Sequence, residues 1–272
     1  MNVQTLMQKV FDWCNDGEPH DYSSSCDTLK CGSPETELHR VAVAMIATPE
    51  VIRKAAAWGA ELLIVHEPTF YDHFDRKMEG DPVTEAKERL LRETGIAIWR
   101  FHDHPHAKRM DMIHEGGAKC LGLPGEWVED EQPRHAVRFR LAAPVTAREL
   151  AAHIGQTFHC AHVRICGAPD VPCTRLSFCL GACGMTWPEL KSPDTEIVLT
   201  GETCEWQLGE YARDAGELGF HKALLILGHM YSEQPGMRLL ADMIQEHFKE
   251  LEVRCFDCGE TWSYAETPLK QG

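Results

Sequence analysis

Histidines and carboxylates recur together in three short segments of this 272-residue chain. His66 and Glu67 close ELLIVHEP, His102-Asp103-His104-Pro105-His106 closes IAIWRFHDHPH, and His229 and Glu233 lie four apart in ALLILGHMYSE. Imidazole and carboxylate together suit zinc, manganese, iron or cobalt, with an open position left for water. Each segment follows an apolar run (62–65, 96–101 and 223–227) that reads as a buried parallel strand. In an open α/β sheet, neighbouring strands end at one crevice, so ligands far apart in sequence can meet there. A metal site is therefore the first expectation, and the number of donors is enough for two ions sharing a bridging group.

The segments differ in how they would present their donors. At a strand end, where the chain turns, adjacent His66 and Glu67 can both aim into one crevice. If the chain stayed extended, His102, His104 and His106 would share one side and Asp103 the other, although Pro105 interrupts that alternation. Asp103 can bind an ion itself or orient a neighbouring imidazole. His229 and Glu233 suit one turn just ahead of a helix expected near Pro235. Glu202, at the end of the TEIVLTGE strand, is either a general base or orienting carboxylate, or a helix-capping glutamate.

Around these segments the pattern is α/β. A strand is expected over 41–46, followed by a helix with Thr48 as N-cap and Pro49 at its first position, closed by Gly59 before the next strand. An amphipathic helix is expected over 83–94, ending at Gly95. Residues 121–134 carry two prolines, two glycines and an acidic run and suit a linker. Beyond it, HAVRFRLAAP reads as a strand, a helix opens at Thr146, and HVRICG, RLSFC and TEIVLT read as strands. A helix over 206–218, the strand ALLIL, a long helix from Pro235 and the strand LEVRCFD complete a second α/β pattern.

Composition narrows the partners. With 42 acidic against 27 basic residues, the net charge of −15 works against nucleic acid and anionic membranes, both of which need Lys and Arg. No apolar stretch reaches the roughly 20 residues of a membrane span, and the N-terminal sequence lacks a secretory layout, so a cytoplasmic location is expected. The twelve cysteines then read as reduced thiols. Cys255 and Cys258 have CxxC spacing but no second pair, and Cys173, Cys179 and Cys183 read as small buried apolar groups.

Five segments together resemble the Nif-three-like (Ngg-one-interacting factor three) family, whose members often carry the label GTP cyclohydrolase 1 type 2 homologue. They are TPEVIRKAAAWGAELLIVHEP, IAIWRFHDHPH, HVRICGAPDVPCTRLSFCLGACG, VLTGETCEWQL and LILGHMYSEQPGM, spanning about residues 48–237. The resemblance implies two interleaved αβα domains with a metal cleft between them. The outer one would comprise 1–125 plus 225–272 and the inner one 126–224. It further implies a dinuclear site for two divalent ions, often in a ring-shaped hexamer.

The family's His-His pair falls on His66 and Glu67, its usual aspartate position falls on His106, and its final pair is intact as His229 and Glu233. The ligand set this implies is His66, Glu67, Asp103, His106, His229 and Glu233, with Glu202 as catalytic candidate. Two positions thus exchange carboxylate for imidazole while the kinds of donor are kept. The expected function is a metal-dependent hydrolase acting on a small molecule, such as a nucleotide or phosphate ester. A metal-binding regulatory or scaffold protein is the alternative.

Overall fold

The computed structural model describes residues 1–17, 19–128, 136–182 and 186–265. Two sheets organise the chain. The first is built from β1 (Leu29–Cys31), β2 (Arg40–Ala44), β3 (Leu62–Val65), β4 (Ala97–Arg100) and β11 (Glu252–Phe256), in the order β1-β4-β3-β2-β11. β4, β3, β2 and β11 run parallel, and β1 closes one edge antiparallel to β4. The second sheet contains β5 (Gly125–Val128), β6 (Val137–Thr146), β7 (Arg164–Gly167), β8 (Pro172–Cys179), β9 (Ile197–Thr200) and β10 (Ala223–Ile226), in the order β5-β6-β8-β9-β10-β7. Its parallel centre is β8-β9-β10, and its edges are antiparallel.

Every residue of β3, β4, β9 and β10 is buried, as continuous apolar strands covered on both faces require. Helices α1 (Val3–Trp13), α2 (Pro49–Trp58), α3 (Pro82–Thr94), α4 (Asp103–Ala107), α5 (Met112–Leu121), α6 (Ala147–Thr157), α7 (Thr186–Lys191), α8 (Glu210–Glu217) and α9 (His229–His247) cover the sheets. Local signals set several boundaries. The Thr48 side chain caps α2 and Gly59 ends it in the left-handed region, Gly95 ends α3 in the same way, and Thr146 forms a capping box with Glu149 at the start of α6.

Four expectations are corrected. Part of the expected linker is a strand, because β5 pairs antiparallel with β6; residues 129–134 of that stretch lie outside the described residues, as does Cys183. The helix expected over 206–218 is a π-helical turn, Glu205–Gly209, followed by α8. The segment 102–106 is not extended: Asp103–Ala107 is a short helix. The helix expected from Pro235 begins six residues earlier at His229 and carries Pro235 within it. A proline there costs one backbone hydrogen bond, but burial of Met237, Leu240, Ala241 and Ile244 in the core keeps the helix continuous.

α5 and α9 cross at glycines. A Cβ on Gly116 would sit 2.5 Å from the Cα of Gly236, so the crossing depends on the missing side chains. That contact brings the first half of α5 beside the first turns of α9.

Candidate metal centre

β3 and β4 are adjacent and in register, Val65 opposite Arg100, so His66 and His102 emerge side by side. β9 and β10 do the same in the other sheet, Thr200 opposite Ile226, delivering Glu202 and the start of α9. α4 matters most for the second segment. Its turn places His102 and His106 four residues apart on one face and directs His104 elsewhere. His104 stacks between Phe11 and Tyr22, and its Nδ1 lies 2.6 Å from Asp27.

Four imidazoles are each fixed through Nδ1 by an oxygen. His66 Nδ1 is 3.0 Å from the Phe101 carbonyl, and His102 Nδ1 is 2.9 Å from Asp103 Oδ1. His106 Nδ1 is 2.7 Å from Asp111 Oδ2, and His229 Nδ1 is 2.8 Å from Glu202 Oε1. A ring nitrogen against a carbonyl or carboxylate oxygen carries the proton, which leaves Nε2 of a neutral ring as a bare donor pair.

Those Nε2 atoms converge. His66 Nε2 and His106 Nε2 face each other at 3.1 Å, and the ligand atoms of His66, His102 and His106 lie within 4.8 Å of one another. His229 Nε2 is 3.1 Å from Glu67 Oε1 and 3.0 Å from Glu233 Oε2. Glu233 Oε2 is also 3.7 Å from His66 Nε2, and Glu67 Oε1 is 3.8 Å from His102 Nε2.

Electrostatics sharpen this picture. Burial pushes the His66 imidazolium down to about 4, with the nearby His102 and His106 adding to the effect, so the ring is neutral at physiological pH. At His229, burial opposes the charged form, but Glu233 and Glu67 outweigh it and push its pKa up to about 11. Burial would also raise Glu67 and Glu233, yet His229 and the surrounding imidazoles hold both below the usual carboxylate range. A protonated His229 thus lies between the two carboxylates, 3.1 Å from Glu67 Oε1 and 3.0 Å from Glu233 Oε2. Glu233 is buried and its Oε2 makes no hydrogen bond of normal geometry, which a bound ion would remedy. The donor set therefore fits divalent metal.

Surrounding groups hold the donors in place. Arg100 is fully buried; its Nε donates to the His66 carbonyl at 3.0 Å, its Nη1 to the His73 carbonyl, and its Nη2 is 3.9 Å from Glu67. Asp111 caps α5 through Ile113 N–H and His114 N–H while taking His106 on its other oxygen. His114 Nδ1 lies 2.8 Å from the same oxygen, and its Nε2 accepts from Leu180 N–H. Gly181, at φ +68, leaves room for the Glu233 carboxylate: a Cβ there would come 2.6 Å from Glu233 Cδ.

Of the residues expected from sequence, His66, Glu67, His106, His229 and Glu233 meet here. Asp103 does not join them. Its Oδ1 orients His102 and its Oδ2 accepts from Cys26 N–H at 2.9 Å, while His102, absent from the expected ligand set, takes the place inside. Glu202 orients His229. Asp111, Asp27 and His114 were missed, since a buried aspartate cap looks like any other N-cap in sequence.

The fold and site define an α/β protein with a buried imidazole–carboxylate cluster at the ends of strands from two sheets. Residues 1–261 match the Duf34/NIF3 (NGG1p interacting factor 3) family, and the chain belongs to that family. A GTP cyclohydrolase 1 type 2 homologue from Clostridium perfringens is 20% identical over 223 residues, 80% of this chain and 82% of the relative. The solved structure of protein ybgI, of unknown function, superposes with a TM-score of 0.78 at 21% identity, covering 96% of this chain and 99% of that one. A Bacillus cereus protein related to NIF3 gives a TM-score of 0.69 at 12% identity, covering 98% and 99%. At such identities the solved structures speak for the fold alone.

Proposed function

We propose that the chain is a metal-dependent, hydrolase-like protein holding two divalent ions, drawn from zinc, manganese, iron and cobalt. It acts on a small molecule, a nucleotide or another phosphate ester, through activated water. The observation that carries this reading is the convergence of His66, His102 and His106, whose ligand atoms lie within 4.8 Å of one another, beside the buried Glu233. Ions bound there would lower the pKa of coordinated water and polarise the bond under attack.

His66, His102, His106 and His229 supply nitrogen donors, and Glu67 and Glu233 supply oxygen and offset the charge. Asp103, Asp111 and Glu202 fix three of the imidazoles by carboxylate contact. The Glu202 side chain is 59% exposed, so it can also take up a proton released at the site.

The division into an outer unit (1–125 plus 225–272) and an inner one (126–224) belongs to the same reading. The two sheets support it, with β10 as a whole in the second sheet, which moves the return crossing past Ile226. Homo-oligomerisation, with a hexameric ring as the expected form, is supported by the exposed Trp206, Leu218 and Phe220. Among the described residues no helix is long and apolar enough to cross a membrane, and the described cysteines are free, in keeping with a reducing cytoplasm.

One observation favours a non-catalytic metal-binding or scaffold role. Arg100, the nearest guanidinium to the cluster along the sequence, is committed to the His66 and His73 carbonyls and is not available to a phosphate. Metal analysis paired with a hydrolysis screen over nucleotides, phosphate esters and amides separates the two. The enzyme reading expects two ions per chain and turnover that disappears in His66→Ala and His229→Ala. Stoichiometric metal with no turnover across the screen would favour the binding role.

A further inference from the structure

We propose that Cys26, His73 and Asp103 form a second, sulfur-containing site for a thiophilic divalent cation, outside the imidazole–carboxylate centre and linked to it through Asp103. The ligand atoms of these three residues lie within 4.8 Å of one another, as close as those of the first cluster. They bring three donor types, a thiol sulfur, an imidazole nitrogen and a carboxylate oxygen. Three protein donors with a remaining open position suit zinc, iron(II) or cobalt(II), and the sulfur selects against magnesium and calcium.

The position of each donor favours the same reading. Cys26 is buried, Asp103 half-buried and His73 exposed, so a cation would enter past the imidazole and be held from within. The loop carrying His73 is pinned on both sides. Asp75 accepts from Thr69 N–H and Phe70 N–H, and the buried Arg100 donates to the His73 carbonyl. On the inner side Cys26 Sγ lies 3.7 Å from Asp27 Oδ1, and Cys26 N–H donates to Asp103 Oδ2 at 2.9 Å. Asp27 in turn accepts from the His102, Asp103 and His104 N–H groups and meets the His104 ring at 2.6 Å. Two carboxylates therefore lie beside Cys26.

Loading is a simple exchange. The Cys26 S–H bond breaks, a sulfur–metal bond forms, and the proton leaves to water. Burial beside Asp27 disfavours a free thiolate at Cys26, and a coordinated cation reverses that preference. Because Asp103 Oδ1 also orients His102, the two sites share one carboxylate without sharing a ligand atom of the first cluster.

The test is a cobalt(II) titration of the full-length protein after removal of metal by chelation. The first cluster contains only nitrogen and oxygen donors, so a thiolate-to-cobalt charge-transfer band in the near ultraviolet reports sulfur coordination alone. The band is expected to appear and saturate in the unaltered protein and to vanish in Cys26→Ser. In His73→Ala, a substitution at an exposed position, half-saturation of the band should require more than about tenfold more cobalt, at least the loss typical of removing an outer metal partner. His66→Ala and Glu233→Gln should leave the band intact while removing the visible absorption that comes from cobalt in the imidazole–carboxylate centre. The proposal is overturned if no charge-transfer band appears at saturation, if the band survives Cys26→Ser, or if His73→Ala leaves its titration unchanged. Absence of the first centre's visible bands from the unaltered protein, with the charge-transfer band present, would count against the first centre and not against this one.

Discussion

At the scale of single residues, the site is defined by which nitrogen of each imidazole is occupied. Asp111 shows the consequence. It needs one oxygen for the α5 N–H groups and the other for His106 Nδ1. In Asp111→Asn one of these becomes an NH₂ group. Asparagine either gives up the cap or drives the His106 proton onto Nε2, where it blocks coordination. Metal affinity is expected to fall roughly 10–100-fold in an equilibrium competition against a chelator; unchanged affinity would show that Asp111 does not orient His106.

His229 gives a pH signature in the metal-free protein. Its pKa is raised to about 11, above an unfolded value near 6.5. Its contribution is therefore fully present below about pH 6.5 and is lost as pH rises toward 11. Thermal unfolding of chelated protein should show stability declining across that alkaline range, and His229→Gln should flatten the decline. An identical slope in the variant would contradict the assignment of the proton to His229.

At the scale of elements, the strands were legible because a buried parallel strand is a short apolar run, and His66, Glu67 and His229 follow such runs within two residues. The residues 102–106 were only half legible. Period-two reasoning grouped three imidazoles, whereas the helical turn of α4 selects His102 and His106 and sends His104 to Asp27. Five residues with a central proline carry too little periodicity to decide between these. The start of α9 was hidden by Pro235, which reads as a helix beginning when tertiary burial is not visible.

Nothing local marked Gly181, whose role depends on a carboxylate 52 residues away in α9. Gly181→Ala should strain a left-handed position by about 1 kcal/mol and displace the Glu233 carboxylate. The readout is a metal affinity that falls by more than the loss in thermal stability explains, and an affinity equal to that of the unaltered protein would exclude this packing role.

At the scale of the whole molecule, the cluster draws on both sheets. β3 and β4 deliver His66, Glu67, His102 and His106, and the β10–α9 junction delivers His229 and Glu233. A cation bound only by the folded arrangement stabilises it by mass action, by about 2.7 kcal/mol at a hundredfold excess over the dissociation constant. The net charge of −15 favours cation uptake in the same direction.

The most direct test of the central claim is a crystal structure of metal-loaded protein, with anomalous diffraction recorded at the edges of the bound elements. The account predicts two anomalous peaks between Glu67 and Glu233, approached by Nε2 of His66, His102, His106 and His229. An absence of peaks among these side chains, or peaks that Glu67 and His106 do not reach, would contradict it.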